Sequence, residues 1–320
     1  MSDKNEACPA FKTMCGGQAL IEGIMMRGPE KQAIVVRRPD GELEVKEEPL
    51  KLVKDRHPIL GVPLIRGAVN FIDANVKGVK ALMYSAEFYP EGDEPEEPSK
   101  FDDFLEKHLG SEKAMSVVVT LAVILGLAFS IGLFFILPTL LTGLITPFVK
   151  HHLVLSLIEG GVRILIFLTY LILCSRMKDI KRVFSYHGAE HKTIFCYERG
   201  LELTVENVRK MPRHHPRCGT SFLFVIMIVS MLIYALLGFS WANPLLRLVM
   251  RLLLLPVIVG ITYEINRFVG RHDTWLTRLI TAPGLWLQNW TTNEPDDAMI
   301  EVGIAALKLV LPEEKGKDAW

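Results

Sequence analysis

No two cysteines in this chain stand in C-x-x-C spacing, no glycine-rich stretch has the spacing of a phosphate loop, and no segment repeats another. A nucleotide site of the phosphate-loop kind and a repeat architecture are therefore not expected. Charge of one sign is also lacking. The 36 basic residues balance the 36 acidic ones, so no basic excess points to a nucleic-acid partner. Nor does an apolar run come early: the first begins after more than a hundred ordinary residues. That is too late for a secretory signal peptide, and retention in a membrane is expected instead.

Half of the residues are hydrophobic, and they are segregated. The runs 115–137, 153–174, 219–238 and 245–266 each hold roughly 20 largely apolar residues, enough to cross a hydrocarbon core of about 30 Å. Four such runs in one chain favour four transmembrane helices over a buried soluble bundle. Orientation follows from lysine and arginine, because cationic loops stay cytoplasmic. The loop 175–217 holds ten of them, among them Arg176, Lys192, Arg213 and Arg217, whereas 138–152 and 239–246 hold only Lys150. Both termini and loop 175–217 should face the cytoplasm, with Trp241 at the outer interface, in a multi-pass protein of the plasma membrane whose first partner is the lipid bilayer. The five cysteines, Cys8, Cys15, Cys174, Cys196 and Cys218, then lie on or near the reducing side, which argues against a disulfide framework.

The fold class this implies is an α-helical polytopic membrane protein with a small α+β cytoplasmic domain at its N-terminus. Residues 1–89 form that domain, and 90–114 an acidic, proline-rich linker with a lead-in helix. Residues 115–266 form the four-helix membrane domain, and 267–320 an interfacial segment and an amphipathic C-terminal helix. Within the first part, Ala33–Arg38 and the alternation Leu43, Val45 flank Pro39-Asp40-Gly41, a tripeptide suited to a hairpin turn; a strand over Gln18–Met25 is expected to pair with it. In 62–89, Leu64, Ile65, Ala68, Phe71, Ile72, Val76 and Val79 share one side at helical spacing, either on the membrane surface or packed on the hairpin. Near the other end Trp275, Trp286 and Trp290 suit the headgroup region. After them, capping residues and acids precede a helix with Ile300, Ile304, Leu307 and Val310 on one face.

The stretch 187-HGAEHK-192 carries the candidate chemistry. His187 and His191 are four apart, so on a helix both imidazoles project from one face and can share a cation. The order fits H-x-x-E-H, in which two histidines hold zinc and the glutamate, here Glu190, is the general base that activates water. Five residues with three fixed positions are a weak signal alone. Position strengthens it, since the topology brings three cytoplasmic edges together: the loop with His187 and His191, the start of the third span with His214, His215 and Cys218, and the end of the fourth with Glu264, Asn266 and His272. His215, Cys218 and Glu264 are thus candidate further ligands. Glu264 is expensive at the end of an apolar helix unless paired or bound to a cation; the competing reading pairs it with Arg267 or a loop arginine. In the second span Glu159 and Arg163 are spaced for an i, i+4 ion pair. Near the N-terminus, Gly16-Gly17 permits a close backbone approach.

The blocks 16-GGQALIEGIMMRGP-29, 184-FSYHGAEHKTIFCYERG-200, 203-LTVENV-208, 215-HPRCGTSF-222 and 292-TNEPDDAMIEVGIAALK-308 resemble the YqhQ family of bacterial membrane proteins, spread over nearly the whole length. The resemblance implies a multi-span membrane protein, described at most as a metal-dependent enzyme. It puts His187, Glu190, His191, His215, Arg217 and Cys218 in family motifs, whereas Glu264 rests on topology alone.

Two functions follow. One is a metal-dependent enzyme, a hydrolase by its motif, with zinc or a similar divalent ion at the cytoplasmic interface. The other is a non-enzymatic regulator, scaffold or lipid-handling protein, whose N-terminal domain binds a protein partner while the loop histidines are structural or grip lipid headgroups.

Overall fold

The computed structural model describes residues 11–50, 58–89, 111–238, 243–314 and 316–319, with backbone alone at 111–116 and Pro244. Cys8, Trp241 and the acidic stretch 90–99 lie outside the described residues. The chain is mostly helical, with one small sheet near the N-terminus. It divides into two compact units, one made of residues up to 89 with 169–230 and 252–320, the other of 90–168 with 231–251.

In the first unit, four strands form an antiparallel meander in sequence order: β1 (Gly16–Leu20), β2 (Gly23–Arg27), β3 (Lys31–Arg37) and β4 (Leu43–Pro49). The hairpin around Pro39-Asp40-Gly41 forms as its sequence predicts, with Arg37 opposite Leu43. The stretch Gln18–Met25, expected as a single strand, is instead split between β1 and β2. The chain turns at Ile21-Glu22, where Glu22 adopts a positive φ of 49°. Three side-chain bonds hold that carboxylate: Arg182 donates twice, and the Tyr186 hydroxyl donates at 3.0 Å. Tertiary contacts thus fix a turn that no glycine or proline announces at those two positions.

Both faces of the sheet are covered, which is why Gln32 to Val36 are all buried. The two-residue period of a strand sends Ile24, Met26, Ala33 and Val35 to one side. There they meet Tyr186, Ala189 and Ile194 of α5 (Lys178–Glu198) and Met299, Val302, Ala306, Leu307 and Val310 of α10 (Asp297–Val310). The alternate residues Met25, Ile34 and Val36, with Leu20, meet Ala81, Tyr84 and Phe88 at the end of α1 (Ile65–Ala86) and beyond it. Burial of each such side chain contributes about 1.5–3 kcal/mol, so this layer is the main core of the unit. Helix α10 starts where its acids and caps predict: the Asp296 carboxylate accepts from Met299 N at 2.9 Å.

Helix α1 lies with its predicted apolar stripe outward. Ile65, Ile72, Val76 and Val79 are exposed, while the buried positions are Gly67, Gly78, Ala81 and Ser85. The inward face is made of small residues because α1 crosses α8 (Pro244–Arg271) at close range. A Cβ on Gly67 would stand 2.6 Å from that of Tyr263, and one on Gly260 would stand 2.3 Å from the Leu64 carbonyl oxygen.

Four helices are long and apolar enough to cross a membrane: Val117–Gly143, His152–Cys174, Gly219–Leu237 and Leu245–Arg271. They fall on the four predicted runs, and the first and last extend beyond them. The first joins α2 (Ser111–Ile131) to α3 (Leu137–Gly143) through a π-turn at Gly132–Ile136. The other three are α4 (His152–Cys174), α7 (Gly219–Leu237), which follows the short α6 (Val205–Arg209), and α8. Trp286 and Trp290 meet edge to face on α9 (Trp275–Thr291), and Trp275 begins it.

The second unit contains a buried charged cluster within these apolar helices. Glu159 does lie near Arg163, at 3.5 Å, but its principal partner is Arg251, which reaches it through both terminal nitrogens. Thr139 Oγ1 donates to the same carboxylate at 2.7 Å. Arg163 Nε donates to the Phe134 carbonyl at 2.8 Å, a carbonyl inside the π-turn, where the regular i, i+4 ladder is interrupted. The rings of Phe135 and Tyr234 cover Arg163 and Arg251, each 5.1 Å from a guanidinium carbon. Removing the one carboxylate strands two buried cations. Glu159→Ala is therefore expected to destabilise the protein by about 3–5 kcal/mol, read as a lower thermal midpoint in detergent, whereas Thr139→Val removes a single hydrogen bond and lowers it far less.

Candidate metal centre

Helix α5 places the 187-HGAEHK-192 stretch at mid-length, where ten of the thirteen residues from Tyr186 to Glu198 are buried. One side of the helix packs on the sheet and on α10. The opposite side carries His187 and His191, one turn apart, with ring centroids 4.3 Å from each other. Cys218, the residue before α7, completes the group: one donor atom each from His187, His191 and Cys218 lie within 4.8 Å of one another. His191 and Cys218 are buried, and His187 is partly exposed.

The hydrogen bonds decide which ring atoms remain for a ligand. His187 Nδ1 donates to the Thr291 carbonyl at 2.8 Å, and His191 Nδ1 donates to the Arg213 carbonyl at 2.6 Å. A carbonyl only accepts, so both Nδ1 atoms carry protons, and on each ring Nε2 is the nitrogen left to face a ligand. His187 Nε2 lies 3.2 Å from Cys218 Sγ. Ligand distances of about 2.0–2.3 Å in tetrahedral geometry imply donor separations of about 3.3–3.8 Å, so this pair needs only a small adjustment. Backbone carbonyls behind ligating imidazoles are a frequent second layer at such centres.

Glu190 stands beside the group and is buried. Its Oε1 accepts from Gly17 N at 2.9 Å, while Oε2 is buried with no hydrogen-bond partner among the described residues. A buried carboxylate oxygen left unbonded is costly, and it fits a site that takes a cation or a water beside the two imidazoles. Burial raises the proton affinity of Glu190, against the pull of His187 and His191. Burial alone would discharge His187, but the Cys218 sulfur and the Glu190 carboxylate outweigh it and push its pKa up to about 9. Burial likewise opposes a thiolate at Cys218, yet the two imidazoles hold its pKa well below that of an ordinary thiol. The result is a Cys218 thiolate paired with a protonated His187; the thiolate is the form in which cysteine binds metals, and an ion bound there would displace the His187 Nε2 proton.

His215 lies behind His191, with centroids 5.5 Å apart, and edge-on to Phe195 at 4.6 Å. Burial lowers its pKa to about 4, so it is neutral. Its loop is fixed by Gln288, which accepts from His215 N at 2.7 Å and donates to the His215 carbonyl at 2.8 Å. Arg217 pairs with the fully buried Glu198, whose Oε1 also accepts from Thr13 N at 2.8 Å. Glu264 stands outside the three-residue group: Arg66 of α1 grips it through Nε at 2.7 Å and Nη2 at 2.5 Å. Arg66 belongs to neither expected partner set, being neither Arg267 nor in the loop.

Sequence reasoning missed Glu198 and the Gly17 backbone. Glu198 could have been found, since it continues the His187, His191 face of α5 two turns on. Gly17 carried a signal in the Gly16-Gly17 pair. A Cβ on Gly17 would meet the Met25 carbonyl oxygen at 2.6 Å and Glu190 Cδ at 3.1 Å, whereas one on Gly16 would meet nothing within 4 Å.

Fold and site together define a helical protein with four potential membrane-crossing helices and a buried His/His/Cys cluster beside an inward carboxylate. The chain belongs to the family described as "protein of unknown function (DUF1385)", whose model matches residues 62–313. It is 36% identical over 312 residues to the uncharacterized protein YqhQ of Bacillus subtilis (strain 168), covering 96% of this chain and 94% of that one. The resemblance read from the motifs is thereby borne out. No solved structure matches.

The two glycines give a paired prediction. Gly17→Ala forces β2 or Glu190 to shift and should cost about 1–3 kcal/mol, while Gly16→Ala should be nearly neutral; thermal midpoints of the two variants measured together check this.

Proposed function

We propose that this is a multi-pass protein of the cytoplasmic membrane that holds one divalent ion, zinc being the first candidate, through His187 Nε2, His191 Nε2 and Cys218 Sγ. The observation that carries the reading is the tautomer lock: both Nδ1 atoms are spent on carbonyls, which leaves both Nε2 atoms for one ion beside a thiolate. Three protein ligands with an open fourth position are the pattern of a catalytic rather than a structural zinc. A bound ion of this kind supplies a Lewis acid and makes water a nucleophile near neutral pH. Hydrolysis is the reaction class that fits.

Glu190 is the general base in this reading. Gly17 N–H fixes one carboxylate oxygen and leaves Oε2 to accept a proton, and burial keeps its proton affinity above that of a solvated carboxylate, as base catalysis near neutral pH requires. His187 lies at the exposed edge and marks the side from which a substrate approaches. His215, Arg217 and Glu198 hold the loop that delivers Cys218. The pairing of Glu264 with Arg66 favours the three-ligand set over one that includes Glu264. The cationic loop 175–217 supports placing the centre on the cytoplasmic side.

Metal analysis of the full chain purified without chelator should find one ion per chain. His187→Ala, His191→Ala and Cys218→Ser should each lose it, and Glu190→Gln should keep it. Chelation should lower the thermal midpoint, since an ion that binds only the folded state stabilises it. Intact protein without stoichiometric metal overturns the proposal. Orientation is checked separately by a reporter at the C-terminus, which should behave as cytoplasmic; export of that reporter overturns it.

A further inference from the structure

At the last two turns of α8, outside the His/His/Cys group, a cavity of about 310 Å³ is lined by Arg66, Glu264, Arg267, Phe268, Arg271 and His272. One carboxylate there faces three guanidinium groups. Glu264 is spent on Arg66 through two hydrogen bonds, which lock that fork in place. Arg267 and Arg271 make no hydrogen bond and no ion pair among the described residues, and two positive charges remain uncompensated before His272 is counted. They stand at i, i+4 on one helix face, a spacing at which like charges repel unless an anion lies between them. His272 stacks on Phe268, with ring centroids 4.3 Å apart, and its Nδ1 is engaged with the Phe268 carbonyl, so Nε2 is the nitrogen left for a ligand.

The rim is apolar. Phe268 is 46% exposed, and Ile65, beside Arg66 on α1, is 45% exposed. From Ile65 the outward stripe of α1 continues through Ile72, Val76 and Val79. A cationic cavity with an exposed phenylalanine in its lining, on a helix pair whose other member, α1, exposes apolar residues, matches an amphiphile with an anionic head better than a small polar solute, and the cavity falls at the end of a helix able to cross a membrane. Planar arginine forks recognise phosphate oxygens by paired, charge-assisted hydrogen bonds.

We infer that this cavity binds a phosphate group, carried by the headgroup of an anionic phospholipid whose acyl chains lie along the exposed stripe of α1. The lipid as the source rests on the membrane reading proposed above; the phosphate chemistry does not.

The full-length protein is reconstituted in nanodiscs of mixed phosphatidylglycerol and phosphatidylcholine, and the lipids retained on gentle release are counted by native mass spectrometry. In parallel, inorganic phosphate is titrated calorimetrically into protein in detergent free of phospholipid. Wild-type protein should retain phosphatidylglycerol in preference to phosphatidylcholine. The double variant Arg267→Gln/Arg271→Gln should lose that preference by about tenfold, in line with the loss of paired charge-assisted bonds. Arg278→Gln, an exposed arginine held by Asp273, should leave it unchanged.

Saturable binding of inorganic phosphate that the double variant loses, with no lipid preference, keeps the phosphate site and overturns the lipid source. Absence of both bindings, or bindings equal in wild type and double variant, overturns the site. Should the double variant fail to fold, the single variant Arg271→Gln, at an exposed position, decides in its place. Metal content measured on the same samples separates this outcome from that of the His187, His191 and Cys218 centre, because loss of the cavity should leave the metal in place.

Discussion

Helix α5 is polar along one face and yet buried over most of its second half, and the rest of the first unit is arranged to satisfy that face. A buried imidazole, ammonium or carboxylate must find partners or lose several kcal/mol. The partners come from every direction in sequence: the Gly17 amide from β1, the Arg213 carbonyl from the loop, the Thr291 carbonyl from the end of α9, and Glu294 and the Arg209 carbonyl for Lys192. The sheet and α10 close over the opposite, apolar side. The N-terminal strands are therefore part of the wall of the centre. The edge strand β4 is charged and mostly exposed, Leu43 and Val45 included.

The second unit meets the same constraint with an ion-pair cluster instead of imidazoles and a thiol. A glutamate inside an apolar helix is tolerable because Arg251 and Thr139 saturate its oxygens, and the arginines are in turn covered by aromatic faces. The π-turn belongs to the same arrangement, since it turns a backbone carbonyl toward Arg163. Arg163 Nη2 and Arg251 Nε in this cluster, like Glu190 Oε2 in the first unit, are buried with no hydrogen-bond partner among the described residues.

Much of this was legible beforehand where the signal is local. The four apolar runs, the hairpin at Pro39-Asp40-Gly41, the helix beginning at the Asp296 cap and the one-face placement of His187 and His191 all follow from periods of two or 3.6 residues and from capping chemistry. The convergence of Cys218 on the two histidines was also anticipated, from topology. Other features were not legible. The stripe on α1 is amphipathic by pattern, yet periodicity is silent about which face turns inward; the small residues Gly67 and Gly78 won because the neighbouring backbone and side chains come close. The turn at Glu22 was missed because the residues that stabilise it, Arg182 and Tyr186, lie 160 and 164 positions away.

By itself the sequence determined the helices, their apolar lengths, the strand pattern and the residue types that a metal centre requires, because each of these depends on neighbours within a turn or a pleat. Only the tertiary structure decided who pairs with whom: Glu264 with Arg66 across 198 positions, Glu159 with Arg251 across 92, and Glu190 with the Gly17 amide across 173. Charges of either sign are plentiful and equivalent on paper. Packing selects among them, since the partner that counts is the one whose backbone can come close enough for its polar atoms to replace water.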